Sequence, residues 1–220
     1  MKVSREQAEA NREEVIEQSS KLFRARGFAG VGLNELMNAA GLTRGGFYGQ
    51  FQSKQDLIKV ALGRALETKQ RGWETAIAEI GDHPLRAFVH RYLADTHRNR
   101  PETGCGIAAL VGDVSREDEE IRAVFETGVK ELAGLIATMM PGDTAAIRDE
   151  RALGCLAALV GALCLSRAVA DRSLSRGICE ATASMVLSVL DKTATLKSKQ
   201  PTIRKGTQGP YRKRTRPSRR

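Results

Sequence analysis

Thr43, Arg44, Tyr48, Gln50 and Lys54 fall close together in the stretch 41-GLTRGGFYGQFQSKQDL-57. Each side chain carries a hydrogen-bond donor, and two are cations, a combination suited to phosphate oxygens and base edges. The same stretch holds Gly41, Gly45, Gly46 and Gly49. A glycine inside a helix costs about 1 kcal/mol relative to alanine. A short helix of such poor propensity must be held by its apolar residues, Leu42, Phe47 and Phe51. In return, bare Cα atoms at Gly45 and Gly46 let the backbone approach another surface closely.

Other reactive residues are sparse. Cys105, Cys155, Cys164 and Cys179 show no CxxC or Cys/His spacing, so reduced thiols are expected. Cys105 sits between two glycines, where a thiol of lowered pKa would sense oxidants or electrophiles. The alternative is a small buried apolar residue. Cys155 and Cys164 lie on an apolar run and read as core. His83, His90 and His97 are spaced seven apart. Two helical turns separate each pair by ~10 Å, too far to share one ion. The sequence has no paired catalytic acid and base, nucleophile elbow or phosphate-binding loop. No enzyme activity, cofactor or metal is expected.

The net charge of +9 is unevenly placed. Residues 1–55 carry a net +2, residues 56–196 a net −3, and residues 197–220 a net +10. The tail 197-KSKQPTIRKGTQGPYRKRTRPSRR-220 has the composition of a disordered basic extension, read here from residue 196 onward. Such a tail adds sequence-independent affinity for nucleic acid through counterion release, or is a solvated extension. No apolar segment follows the start, so no signal peptide is expected. The longest apolar run, 152-ALGCLAALVGALCL-165, is short for a bilayer and reads as a core helix. A cytoplasmic protein is expected.

Helical periodicity dominates, and the expected class is all-α. Helices are expected over Arg5 to Arg26, Leu33 to Ala40, roughly Thr43 to Tyr48, and from Ser53-Lys54-Gln55-Asp56 onward. The last has the spacing of a capping box. Further helices are expected from Pro84, over Glu117 to Met140, and near 144–171 and 174–191. Gly27 and Gly41 read as helix stops.

Helices joined through Gly41 make a helix-turn-helix. Leu36, Ala40 and Phe47 would be buried, Leu42 would plug the gap, and Thr43 would cap the second helix. Residues 11–62 resemble the DNA-binding domain of the TetR family of transcriptional regulators. Leu22-Phe23, Gly27-Phe28, 40-AGLTRGGFYGQF-51 and 53-SKQDL-57 carry the likeness. In addition, 104-GCGIAALVGDVSRE-117 is similar to a Gly-Cys-Pro-(Ile/Leu)-Ala-Ala-Leu segment of one TetR/AcrR subgroup, with Gly106 in place of proline.

The resemblance implies a DNA-binding domain over 5–62, a ligand-binding and dimerisation domain over 63–195, and a homodimer. It implies operator DNA and a small-molecule effector as partners, and release of a repressor from a pseudo-palindromic operator. DNA contacts are expected from Thr43, Arg44, Gly45, Gly46, Tyr48, Gln50 and Lys54, with Arg44 reading a base edge or phosphate and Lys54 meeting backbone phosphate. Met37 stands where the family usually has alanine, and Gly32 where a capping Thr or Ser is common. Trp73, Phe88, Tyr92, Cys105, Ile107, Met139 and Met140 are candidates to line a ligand cavity, or simply core. The small residues of the last two helices suit a four-helix dimer interface. The rival readings are a tail-driven, non-specific nucleic-acid binder and an activator of the same fold.

Overall fold

The computed structural model describes residues 4–78, 83–142 and 144–198, and every regular element among them is helical. In chain order these are α1 (Arg5–Arg26), α2 (Leu33–Ala39), a 3-10 helix (Arg44–Gly49) and α3 (Lys54–Ala78). There follow α4 (Pro84–Tyr92), α5 (Asp95–Arg98), a 3-10 turn (Pro101–Thr103), α6 (Gly106–Val114), α7 (Glu119–Met139), α8 (Ala145–Ala168) and α9 (Arg172–Ser198). The class expected from periodicity is the class found.

Local signals set most of the boundaries. Ser4, Asp118 and Thr144 each accept a backbone N–H from three residues on, opening α1, α7 and α8. Ser53 does the same for Asp56 at the head of α3, while the Asp56 carboxylate accepts from Gln52 N–H. Pro84 occupies the first turn of α4, where its missing N–H costs nothing.

α1 packs along α3 and against α2, burying Val15, Ile16 and Phe23 with Leu57, Ala61 and Leu62 in one core cluster. The C-terminal bundle is built from α3 on α7, α7 on α8 and α8 on α9. α3 runs unbroken through residues 62 and 63, so the domain boundary expected there falls inside a helix rather than at a linker. α9 reaches Ser198, which carries helix into the stretch read as tail; residues 199–220 lie outside the described residues. The apolar run at 152–165 is part of the 24-residue α8, which by length and composition alone is apolar enough to cross a membrane. Here its Ala152, Leu156, Leu159 and Leu163 are buried in the bundle.

Two glycines among the described residues have positive φ. Gly27 (φ +74°) ends α1 with its N–H on Phe23 O, and a Cβ there would lie 2.8 Å from Asp113 Oδ1. Its ψ of 169° departs from the left-handed helical cap expected. That close approach lets Asp113 of α6 accept from Phe28 N–H at 3.0 Å, joining the N-terminal unit to the bundle. Gln55 to Glu117 in the α6–α7 turn at 2.8 Å and Lys59 to Glu120 of α7 at 2.7 Å extend the joint from α3.

Gly41 (φ +70°) makes the turn after α2, and a Cβ there would meet nothing within 4 Å. Its constraint is therefore conformational rather than steric. Gly41→Ala should cost about 1–2 kcal/mol of folding stability in urea denaturation, and Gly41→Asn less.

Candidate nucleic-acid interface

The turn after α2 is tied by Leu42 N–H and Ala40 N–H, both donating to Met37 O. The segment that follows winds as a 3-10 helix over Arg44–Gly49 rather than as the α-helix expected. Three glycines among its six residues supply little helical propensity, and the tighter winding serves short pieces. Thr43 precedes it in extended conformation, but its hydroxyl caps no N–H, contrary to the capping role expected.

Phe47 anchors this helix. It is buried, stacked on Phe51 at 5.5 Å, while the Arg12 guanidinium lies 4.8 Å from the Phe51 ring. Leu42 packs half-buried against the same core. With the anchors inward, Thr43, Arg44, Gly45, Gly46 and Tyr48 face solvent together. Tyr48 is 66% exposed, its ring held edge-on to Phe47 at 5.3 Å. An exposed tyrosine so braced offers its hydroxyl outward at little further entropic cost.

No close contact within the chain requires a glycine at position 45 or 46. A Cβ at Gly45 would have only the Thr43 hydroxyl, 4.0 Å away, and one at Gly46 only Met37 Cε at 3.9 Å. Neither contact forbids a side chain. Met37 is fully buried, and a Cβ at Gly46 would reach it only at an ordinary van der Waals distance. Gly32 begins α2 with no side-chain cap and open space around it.

Gln50 and Lys54 sit at the edge of the face. Gln50 closes the 3-10 helix through its N–H on Phe47 O, and its buried Oε1 has no hydrogen-bond partner among the described residues. Lys54 Nζ donates to Phe28 O at 2.7 Å and Val31 O at 2.8 Å. Those bonds pin the α1–α2 loop to α3, a structural task that the sequence reading missed. The carbonyls lie 26 and 23 residues away, and no local pattern marks them.

The C-terminal candidates do not all meet. Trp73, Phe88 and Tyr92 form an aromatic cluster with ring centroids 5.0–5.7 Å apart, joined by His97. Cys105 and Ile107 are buried beside α6, Met140 is buried, and Met139 is half-buried on α7. Trp73 Nε1 and Tyr92 Oη are buried without hydrogen-bond partners among the described residues. Burial raises the Tyr92 phenol well above its ordinary range. The Cys105 N–H donates to His97 Nε2 at 2.8 Å, so the thiol is fixed in the interior at 2% exposure. A reagent reaches it only if the loop opens. Gly106 follows as the first residue of α6, and its Cβ would stand 3.2 Å from Ala65 Cβ, a tight approach of α6 to α3. Burial raises the Cys155 thiol to about 12, and Cys164 Sγ donates to Ala108 O at 3.2 Å.

His97 is buried with Nδ1 2.5 Å from Tyr92 O, which fixes the neutral tautomer. Burial lowers its pKa to about 4. A histidine free at 6.5 in the unfolded chain then draws protons to that state. The stability is complete above pH 6.5 and falls as the pH drops toward 4, by roughly 3 kcal/mol. Urea midpoints measured from pH 7.5 to 4.5 should decline over this window, and His97→Gln should flatten that part of the profile.

With this geometry in hand, the relatives can be placed. The family model for bacterial regulatory proteins, tetR family, matches residues 15–61, the stretch that holds the helix-turn-helix. The HTH-type transcriptional repressor NemR of Escherichia coli (strain K12) is 27% identical over 129 residues, covering 57% of this chain and 65% of NemR. The crystal structure of E. coli NemR in its reduced form superposes with a TM-score of 0.67 at 21% identity, over 80% of this chain and 95% of that one. A TetR-family transcriptional regulator from Cytophaga hutchinsonii gives 0.70 at 18% identity, over 86% and 98%. The helix-turn-helix and the sequence match within it agree: residues 15–61 form a DNA-binding domain of the tetR family of bacterial regulatory proteins, and the rest of the chain shares the helical fold of the solved regulators.

Proposed function

We propose that this chain is a sequence-specific DNA-binding repressor that acts in the cytoplasm as a homodimer and is not an enzyme. A small molecule bound in the C-terminal half releases it from its operator. The observation that carries this reading is the face of the 3-10 helix, where Thr43, Arg44, Gly45, Gly46 and Tyr48 are exposed together above a buried Phe47 anchor. Such a face enters the major groove with its N-terminal residues toward the bases. Exposed Leu153, Leu165, Leu174 and Met185 support a second copy packed on α8 and α9. The dimer sets two recognition helices about 34 Å apart, in successive major grooves. Effector and operator then oppose one another by the same factor, whichever binds first. Both act through the joint at Gly27, Phe28 and Asp113.

The rival, non-specific binding through the basic tail, is separated by truncation. A protein ending at Ser198 should keep its preference for operator over random duplex in competition gel shifts. Loss of nearly all affinity on truncation would favour the tail. Crowding the open face is a second test. Gly45→Leu should lower operator affinity by about tenfold or more while leaving the melting temperature within the range of ordinary surface substitutions.

A further inference from the structure

A cleft of about 990 Å³ opens where the end of α1 meets α5, α6, α8 and the start of α9. Its wall carries the guanidinium groups of Arg24, Arg98, Arg167, Arg172 and Arg176, against the single carboxylate of Asp95. Asp95 is already paired with Arg98 Nη2 at 2.9 Å. Among the described residues, no carboxylate pairs with the other four arginines.

Arg24 is buried and Arg167 is half-buried, and both are held by the chain's own carbonyls. Arg24 is only 6% exposed, with Nε on Ser20 O and Nη1 on Gly104 O, both at 3.1 Å. Arg167 donates from Nε to Arg98 O at 2.9 Å and from Nη2 to His97 O at 2.8 Å. Carbonyl oxygens fix a guanidinium in place without neutralising it. Burying an uncompensated charge is costly, and arginine has no accessible neutral form. Burial lowers the basicity of both groups, and more distant carboxylates, Glu17 and Glu102 at Arg24 and Glu102 at Arg167, offset only part of that.

Arg172 and Arg176 add two exposed cations one turn apart on the same side of α9. At 3.6 residues per turn, Leu174 and Met185 project from the opposite side of that helix. The apolar face assigned to a second copy therefore leaves these two arginines free.

We infer that this cleft binds a small polyanion, a metabolite bearing carboxylate or phosphate groups, clamped between Arg24 of the DNA-binding unit and Arg167, Arg172 and Arg176 of the bundle. As an effector site it rests on the ligand-responsive reading above; as an anion site it stands without it. Arg24 lies on the last turn of α1, directly before the Gly27 joint, while its counterparts belong to α8 and α9. An anion shared between them fixes the end of α1 against the bundle, which is the link an effector must adjust.

The test needs no DNA. The full-length protein is titrated with pyrophosphate, and separately with citrate, at ionic strength held constant with sodium chloride. Binding is followed by calorimetry and by the fluorescence of Trp73, the sole tryptophan, whose ring lies 5.7 Å from that of His97. Saturable binding is expected for at least one probe, and the responding probe distinguishes a phosphorylated from a polycarboxylate ligand. R172Q/R176Q should raise the dissociation constant at least tenfold with unchanged circular dichroism. R5Q/R122Q, which removes two arginines outside the cleft, should leave it unchanged. No saturable binding of either probe, or binding that R172Q/R176Q leaves intact, overturns the anion site; the latter result assigns the anions to the basic tail. Either outcome leaves the DNA-binding reading to its own tests.

Discussion

Arg44→Ala is expected to weaken operator binding by roughly 5- to 150-fold, the equivalent of about 1–3 kcal/mol for one good base contact. The residue opens the 3-10 helix, is exposed, and has no ion-pair or hydrogen-bond partner among the described residues. Its removal therefore costs the folded protein nothing specific. The melting temperature should be unchanged, and the loss should be larger on the selected operator than on random duplex. A phosphate contact alone would weaken both equally and reduce the slope of log affinity against log salt by about one. The comparison of operator with random DNA thus assigns Arg44 to bases or to backbone.

The second large effect is expected at the outer face of α8 and α9. Leu165 is 59% exposed and Met185 is 53% exposed. Large apolar side chains gathered on adjoining helices are poorly suited to solvent and well suited to a second copy of the same face. Cβ atoms added at Gly154, Gly161 or Gly177 would meet nothing within 4 Å, so no contact inside the chain requires these glycines. Leu165→Asp with Met185→Asp places two carboxylates per chain, four per dimer, in that interface. Light scattering should then give a monomer mass. Operator affinity should fall roughly 100-fold or more, because the two half-sites no longer cooperate through one molecule. The far-ultraviolet circular dichroism should remain that of the parent, since both residues lie outside the core.

Much of the architecture was legible from local pattern. Ser4 and Pro84 mark helix starts by chemistry acting within one turn, and Gly27 and Gly41 mark stops by the positive φ that only glycine adopts freely. The exposed face of the 3-10 helix was legible because the apolar anchors Phe47 and Phe51 leave most of the residues beside them facing outward. What local pattern missed depends on distance along the chain. The ties from Lys54 to Phe28 and Val31, and from Asp113 to Phe28, join residues far apart in sequence. The arginine cleft draws on α1, α5, α8 and α9, and no spacing in the sequence announces it. The 3-10 winding of Arg44–Gly49 was missed for a different reason. The periodicities of 3.0 and 3.6 residues are indistinguishable over six positions.

Met37 stands where the resemblance implies alanine, and it is fully buried; a Cβ at Gly46 would lie 3.9 Å from its Cε, so the larger side chain does not require a glycine there. Gly106 does answer to a neighbour: its lack of a Cβ eases the approach of α6 to Ala65 on α3.

The central claim is that the exposed helix reads DNA sequence as one of a symmetric pair. Selection of bound duplexes from a random library by the full-length protein tests it most directly. Enrichment of an inverted repeat is expected, its half-sites centred about one helical turn apart, and that enrichment should be lost with Arg44→Ala. Recovery of sequences with no common motif, or a motif that persists unchanged with Arg44→Ala, would contradict it.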